Sequence, residues 1–515
     1  MLWYYFIFLA LSILSFLIKR IITPKNPNTT THTPPSHPLI GCLISFYNNR
    51  HRLLDWYTLH LSQSPTQTIL LHRLGARRTI VTANPLNVEY ILKTNFINFP
   101  KGKPFTEILG DLLGCGIFNV DGELWSTQRK LASHEFSTRS LKEFIVKNLE
   151  DEVKQRLIPL LEEACNSNNV IDMQDVLRRL TFDIVCKVSL GYDPCCLDLS
   201  KPLPPLLSAF DRASEISAMR ATSPVFFIWK VKRLLNIGSE KSLKEAVKLV
   251  HQSVIKIIKN KKKELSEKND GNIVSGSDLL TKLLEAGHDE IMVRDMVISM
   301  IMAGRDTTSA AMTWLFSLLS KHPNKEALIV KGVRKIFGGK NNNDKFELAR
   351  SFDYEGLKEM KYLKACLCES MRLYPPVAWD SKHAARDDVL PDGTRVGKGD
   401  KVTYFPYGMG RMEELWGKDW REFKPDRWFE RREGDDNEVL KYVNPYKFSV
   451  FQAGPRVCLG KEMAFIEMEY VVSTILNGFE IRPVSVDQPV YVPLLTAHMA
   501  GGFKVRVHKR VQNGK

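Results

Sequence analysis

Near its C-terminal end the chain reads FQAGPRVCLGKEM over residues 451–463, a cysteine set among glycines, a proline and an arginine. Cys458 is one of nine cysteines, and no CxxC pair or CxxH cluster marks a disulfide framework or a zinc site. A buried, inert thiol is the ordinary role of a cysteine in such a chain, and it is expected for the other eight. The stretch LGKEMAFIEMEYVVSTIL that follows Cys458 has helical spacing. The sulfur therefore falls at a helix N-terminus, where the dipole and free amides favour a thiolate. Gly454 and Gly460 remove side-chain bulk on both sides, as a flat ligand lying against the backbone requires. Arg456 offers a fork for a carboxylate. Together these features are what a heme bound through sulfur needs. A nucleophile or a redox thiol remains the alternative for Cys458 alone, although the segment holds no histidine to act as its base.

A second candidate lies far away, in DEIMVRDMVISMIMAGRDTTSAAMTWLFSLLS, residues 289–320. From Met296 to Leu319 this stretch is apolar on all sides, the pattern of a buried central helix. Its middle nevertheless carries Gly304, Arg305, Asp306, Thr307 and Thr308. Burying such groups without partners costs several kcal/mol, so this polar island has partners or borders a wet cavity. One reading is a threonine-bonded kink in a structural helix. The other is a site where a small molecule and water approach an opened helix turn.

The elements that must position these residues are mostly helical. The chain has 515 residues, 44% of them hydrophobic, and no long polar linker divides it after the first forty. We expect a mainly α fold with small β-sheets, organised as a transmembrane anchor over residues 1–19, a proline-rich hinge over 20–38 and one large domain over 39–515. The first eighteen residues carry no charge and are closed by Lys19 and Arg20. They are just long enough to span a bilayer, and the basic flank places the rest of the chain in the cytosol. The rival, a cleaved signal peptide, lacks a basic start and a cleavage site. The hinge is too rich in proline to continue a helix. TQTILLHRLGARRTIVTANP reads as a hairpin turning at Gly75, GDKVTYFPYGMG as a strand entering a loop, and residues 140–164 as a helix. Polar stretches near Gly271 and Asn342 read as surface loops. Lys and Arg exceed Asp and Glu by 15, but the basic residues are scattered, which argues for a solvated surface attractive to a membrane or an acidic partner rather than for nucleic acid. No glycine-rich phosphate loop of nucleotide-binding type is present.

Phe451, Gly454, Arg456, Cys458 and Gly460 stand in the order F-x-x-G-x-R-x-C-x-G, which resembles the signature of the heme-thiolate cytochrome monooxygenases. Further segments resemble the same family: AGRDTT at residues 303–308, its oxygen-activating turn; ESMR at 369–372 with KPDRW at 424–428, its Glu-x-x-Arg pair and the arginine, Arg427, that locks it; and WSTQR at 125–129, the helix whose Trp125 and Arg129 reach a heme propionate. Taken separately, Glu369 and Arg372 could be an ordinary surface helix pair, and Trp125 simple core. The resemblance implies heme b held by Cys458, with Trp125, Arg129, Phe451, Gly454, Arg456 and Gly460 around it and Lys382 or His383 near the propionates. It implies that Thr307 hydrogen-bonds the oxygen undergoing cleavage while Asp306, with Arg305, connects it to outside protons. O2 would be co-substrate, and electrons would come from NADPH through a flavoprotein reductase in the same endoplasmic reticulum membrane.

Longer stretches, among them MRLYPPVAWDSKHAARDDVLPDGT and YFPYGMGRMEELWG, resemble plant enzymes that hydroxylate the terminal (omega) carbon of fatty acids and of fatty-acid-derived hormones. VPLLTAHMAGGFKV leans toward the branch acting on jasmonoyl-isoleucine. Both substrates pair a carboxylate with an aliphatic tail, so the pocket should be apolar near the iron with a polar mouth. Expected walls are the loop 105–118, Met300 and Ala303, residues 377–379 and residues 494–496, with Arg220, Lys101 or Lys103 as partners for the substrate carboxylate. Alternatives are a hydroxylase of another lipophilic molecule such as a sterol side chain, a reductase-independent hydroperoxide isomerase or dehydratase, and a heme carrier without catalysis. Asp306 and Thr307 together favour the hydroxylase.

Overall fold

A helix that is apolar around its whole circumference must be enclosed, and the central helix, Glu290–Leu319, is. Asp289 caps its start, its carboxylate accepting from the amides of Ile291 and Met292. The computed structural model describes residues 33–37, 40–72, 78–136, 139–223, 227–267, 278–338, 354–431, 438–485 and 487–510. The expected anchor, most of the hinge, the turn at Gly75 and the two polar loops lie outside those residues, and no described helix is long and apolar enough to cross a membrane.

The fold is helical with small sheets, as expected. Helix Met173–Leu190 runs against the central helix, and two details let it come close. Gly304 lacks a Cβ that would lie 2.7 Å from the Val185 Cγ2, and the buried Thr181 hydroxyl donates to the Arg305 carbonyl at 2.9 Å. The stretch 140–164 is helical throughout as Arg139–Glu152, a widened turn Val153–Leu157 and Ile158–Asn166. Pro159, which has no amide to donate, stands where the wide turn ends.

The predicted hairpin forms, pairing Thr68–Leu71 with Thr79–Thr82 in register Ile69 to Val81. A parallel partner, Lys401–Tyr404, and an antiparallel one, Asp380–His383, complete a four-stranded sheet. Lys401–Tyr404 leads into a short helix, Pro406–Met409, where a loop was expected. A three-stranded sheet joins Phe479–Pro483, Lys504–Lys509 and Val170–Asp172, and a hairpin pairs Tyr491–Pro493 with Ala497–Met499.

Among the described residues three large apolar cores result: one around the C-terminal half of the central helix and Lys461–Gly478, one around its N-terminal half with Pro205–Thr222 and Gly238–Glu267, and one between the four-stranded sheet and the helices before it, beside a small one around Trp416 and Trp428. They do not close on one another. Met371 of the first, Val185 of the second and Phe405 of the third all face the same void.

Candidate active site

That void is a cavity of about 1380 Å³, lined from Ile44 and Tyr47 at one side to Thr307 and Cys458 at the other. Cys458 stands three residues ahead of the first residue of helix Lys461–Gly478, with Gly460 as cap. Its amide donates to the Phe451 carbonyl at 2.8 Å, and the Phe451 ring packs on Phe465 at 5.4 Å. Burial pushes the Cys458 thiol above its ordinary value, while the Gly460 amide, Arg129 and Lys461 pull the other way. The sulfur faces the cavity, where a cation would favour its thiolate form.

The two glycines differ. Gly460 lies on the cavity wall, and a Cβ there would sit 4.0 Å from the Cys458 sulfur. Gly454 was expected to make room for a flat ligand, but it does not border the cavity. It has φ +66°, and a Cβ would lie 2.1 Å from the Leu92 carbonyl oxygen, so it is glycine because two backbones meet there.

Beside the sulfur stands a wall of charge. Arg456 donates to Asp121 at 2.8 Å and to the Val120 carbonyl at 2.8 Å, and its guanidinium lies 4.6 Å from the Trp125 ring centre. Arg129 donates to the Val457 carbonyl at 2.6 Å. Asp380 is the hub: it accepts from the Lys101 ammonium at 2.6 Å, the Lys382 ammonium at 3.1 Å, the Gln452 amide at 2.9 Å and the Tyr404 hydroxyl at 3.1 Å. Burial would raise the Asp380 carboxyl, but Lys101 and Lys382 more than offset it and hold it well below the usual range. The His383 Nδ1 lies 2.6 Å from the Lys101 carbonyl oxygen, and burial lowers its pKa. Asp121, Asp380 and Gln452 did not emerge from the sequence. The available signal was the D-x-K of residues 380–382, since i and i+2 share one face of a strand.

In the central helix the turn does not open. It stays α-helical, and the Thr307 hydroxyl donates to the Ala303 carbonyl at 2.6 Å. The polar island instead divides between two spaces. Ala303, Gly304, Thr307 and Thr308 face the large cavity. Asp306 faces a separate polar pocket of about 450 Å³, shared with Arg178, Asp211 and His498. Its Oδ1 lies 3.7 Å from the Arg178 Nε and 3.5 Å from the Arg305 Nε, making no hydrogen bond among the described residues. Buried Arg305 turns away from the large cavity and pairs with Asp211. Leu494, Leu495 and Thr496 line both spaces.

The remaining expectations sort cleanly. Glu369 and Arg372 are fully buried, not a surface pair: Arg372 meets Glu369 at 2.8 and 2.9 Å, and Arg427 and the Trp428 indole reach the same carboxylate at 2.8 and 2.9 Å. The expected walls do line the cavity, although residues 105–113 are helical, within Lys103–Leu113. Arg220 does not line it, being spent on Glu240 and Asp111. Lys101 lines it but is paired with Asp380. Arg50, missed in the sequence, lies exposed on the wall, donates to the Tyr47 carbonyl at 2.8 Å and has no carboxylate partner among the described residues.

Residues 32–498 match the family model described as cytochrome P450. The chain is 61% identical to cytochrome P450 94B1 of Arabidopsis thaliana over 97% of its length and 95% of the relative's. It is 60% identical to cytochrome P450 94B3 of the same plant, covering 98% of each chain, and 47% identical to cytochrome P450 94A2 of Vicia sativa, covering 95% and 93%. Its fold is that of a solved cytochrome P450DA heme domain, with TM-score 0.75 and 21% identity over 93% of this chain and 98% of that one. A cysteine at a helix start, facing a cavity floored by a central helix, thus sits in a chain that belongs to the cytochrome P450 family, the heme-thiolate monooxygenases that use O2.

Proposed function

We propose that the protein hydroxylates the terminal carbon of a fatty acid or of a fatty-acid-derived hormone such as jasmonoyl-isoleucine, at a heme held by Cys458, with electrons from NADPH delivered by a flavoprotein reductase. The observation that carries this reading is the cavity, whose lining joins exposed Ile44, Tyr47 and Arg50 with Trp379, Phe105 and Thr307. An aliphatic tail suits such a lining, and a carboxylate suits the Arg50 guanidinium.

The chain's own residues fit a heme. Cys458 presents its sulfur to the cavity, Gly460 adds no side chain beside it, and Trp125 and Phe451 offer apolar faces. Arg456 and Lys101 pair with Asp121 and Asp380, while Arg129 on a backbone carbonyl and Lys382 behind Asp380 add basic side chains beyond those two carboxylates. That surplus matches a flat molecule bearing two carboxylates. The cofactor supplies oxygen activation, favoured by a thiolate ligand. Thr307 holds its hydroxyl at the cavity wall, anchored on Ala303. Asp306, next in the chain, faces the polar pocket and is the group through which protons would be drawn from that side.

We place the protein in the endoplasmic reticulum membrane, anchored by residues 1–19 with its catalytic domain in the cytosol. Supporting this, Phe227, Ile228, Val231, Leu234, Leu235 and Ile237 are exposed on and beside helix Ile228–Leu235, next to Lys230, Lys232 and Arg233.

Microsomes containing the protein, with laurate, oleate or jasmonoyl-isoleucine, test the reading. Terminal hydroxylation that requires NADPH and reductase is expected, with a carbon monoxide difference spectrum that Cys458→Ser abolishes. Turnover of a hydroperoxide without reductase would replace the reading with an isomerase, and a spectrum that survives Cys458→Ser would remove Cys458 as ligand.

A further inference from the structure

The charged wall beside Cys458 is not balanced. Asp380 is 8% exposed and Lys382 1% exposed, so the charges of this hub are held out of water. Lys101 and Lys382 both donate to Asp380, so two ammonium groups share one carboxylate. Asp121 is taken by Arg456 and by the amides of Lys101 and Gly102. Gln452 gives its amide to Asp380 and keeps a buried Oε1 without a hydrogen bond among the described residues. An uncompensated charge in such a place is costly, and a lysine relieves the cost by giving up its proton.

Geometry decides which lysine. Lys101, Asp380, Gln452 and Arg456 line the cavity; Lys382 does not, and stands behind Asp380 on strand Asp380–His383. Lys101 also lies 4.2 Å from the centre of the Phe105 ring, so it has a second favourable contact as a cation. Lys382 is faced by Asp380 of its own strand, Tyr404 of the neighbouring strand, Lys101 from the turn before Lys103–Leu113 and Arg456 from the turn after Phe451. His383 and Lys401 stand at the strand's end. Burial brings the Lys382 pKa down to about 7 against the opposing pull of Asp380, and Lys101 and Arg456 push it the same way as burial.

We infer that Lys382 is the charge-balancing residue of a carboxylate-binding wall: when a carboxylate enters from the cavity and takes up Lys101 and Arg456, Lys382 binds a proton and neutralises Asp380 from behind. The step moves one proton from solvent to the Lys382 Nζ and makes no covalent bond. This inference rests on the proposed heme site, whose two carboxylates are the occupant the surplus fits. The carboxylate of a fatty acid shares that chemistry.

The sign follows from linkage. Occupancy raises the Lys382 pKa above its unoccupied value, so binding is fully supported below about pH 7 and weakens as pH rises through and beyond it, by up to about tenfold per pH unit. The test is heme loss from the holoenzyme to excess apomyoglobin between about pH 6.5 and 9.5. Wild type should lose heme progressively faster above about pH 7. Lys382→Arg cannot release its proton, so its profile should be flat at the slow, low-pH rate, and Lys382→Met should be flat at the fast rate. Should the Met variant fail to fold, the Arg variant alone decides. A parallel arm measures spectral binding of laurate and of dodecanol. If heme loss is flat but laurate affinity carries the slope and dodecanol does not, the wall serves the substrate's carboxylate. A flat wild-type profile in both arms, or a wild-type slope in Lys382→Arg, overturns the inference. A chain that takes no heme at any pH would instead break the proposed function.

Discussion

Two buried ion clusters, around Glu369 and around Asp380, differ in how they end. In the first, Glu369 accepts from Arg372, Arg427, the Trp428 indole and the Lys424 amide, and the spare donors of Arg372 go to the carbonyls of Gly410, Trp420 and Glu422. Both Glu369 oxygens and every Arg372 donor find protein. In the second, Asp380 is equally saturated, but the cations around it outnumber the carboxylates and several of them face a cavity. A closed cluster ties segments together, whereas an open one awaits a ligand. Burial alone does not separate the two; the destination of the spare donors does.

Breaking the closed cluster should have the largest effect. Glu369→Ala leaves Arg372 fully buried opposite carbonyls only, a loss of about 3–5 kcal/mol. We expect little or no folded holoenzyme, and a urea midpoint shifted down regardless of heme content. Asp380→Asn should cost less, about 1–3 kcal/mol, because cofactor carboxylates stand in for the lost charge. Measured on the holoenzyme, the midpoint should fall less than in Glu369→Ala. Equal losses in the two variants would dissolve the distinction.

The central helix repeats the contrast within one turn. Arg305 is spent on protein, paired with Asp211 and 3.5 Å from Asp306, whose charges outweigh burial and keep its pKa raised, although its Nε makes no hydrogen bond among the described residues. Thr307 is open, facing the cavity. Thr307→Ala should keep the carbon monoxide spectrum while product formed per NADPH consumed falls by about tenfold or more. Thr307→Ser should restore coupling, since only the hydroxyl is asked for. Unchanged coupling in the alanine variant would remove Thr307 from proton handling.

Much of this was legible in the residues. A run apolar on all sides announced the central helix, and the spacing after Cys458 announced a sulfur at a helix start. What stayed hidden depends on side-chain direction and on long-range meetings. Asp306 and Thr307 are adjacent, yet one faces a polar pocket and the other the large cavity, because successive helical residues point about 100° apart. Gly454 looked like room for a ligand because its partner, the Leu92 carbonyl, is more than three hundred residues away in the chain. The charged wall joins residues from near 101, 121, 380 and 456, and only the D-x-K pair among them is local.

The smallest expected effect concerns an exposed cation of the cavity lining, Arg50. Arg220 and Lys101 have carboxylate partners, while Arg50 is exposed, rests against the Tyr47 ring at 4.4 Å and has none among the described residues. A substrate carboxylate meeting it in water gains at most about 1 kcal/mol, since solvent and salt screen an exposed pair. Arg50→Ala should therefore weaken laurate binding by no more than about fivefold, leave dodecanol binding unchanged, and lose its effect in high salt. Equal weakening of acid and alcohol would mean that Arg50 acts through the packing of its stem on Tyr47, and recognition of the carboxylate would then have to lie deeper, at the Lys101 and Asp380 wall.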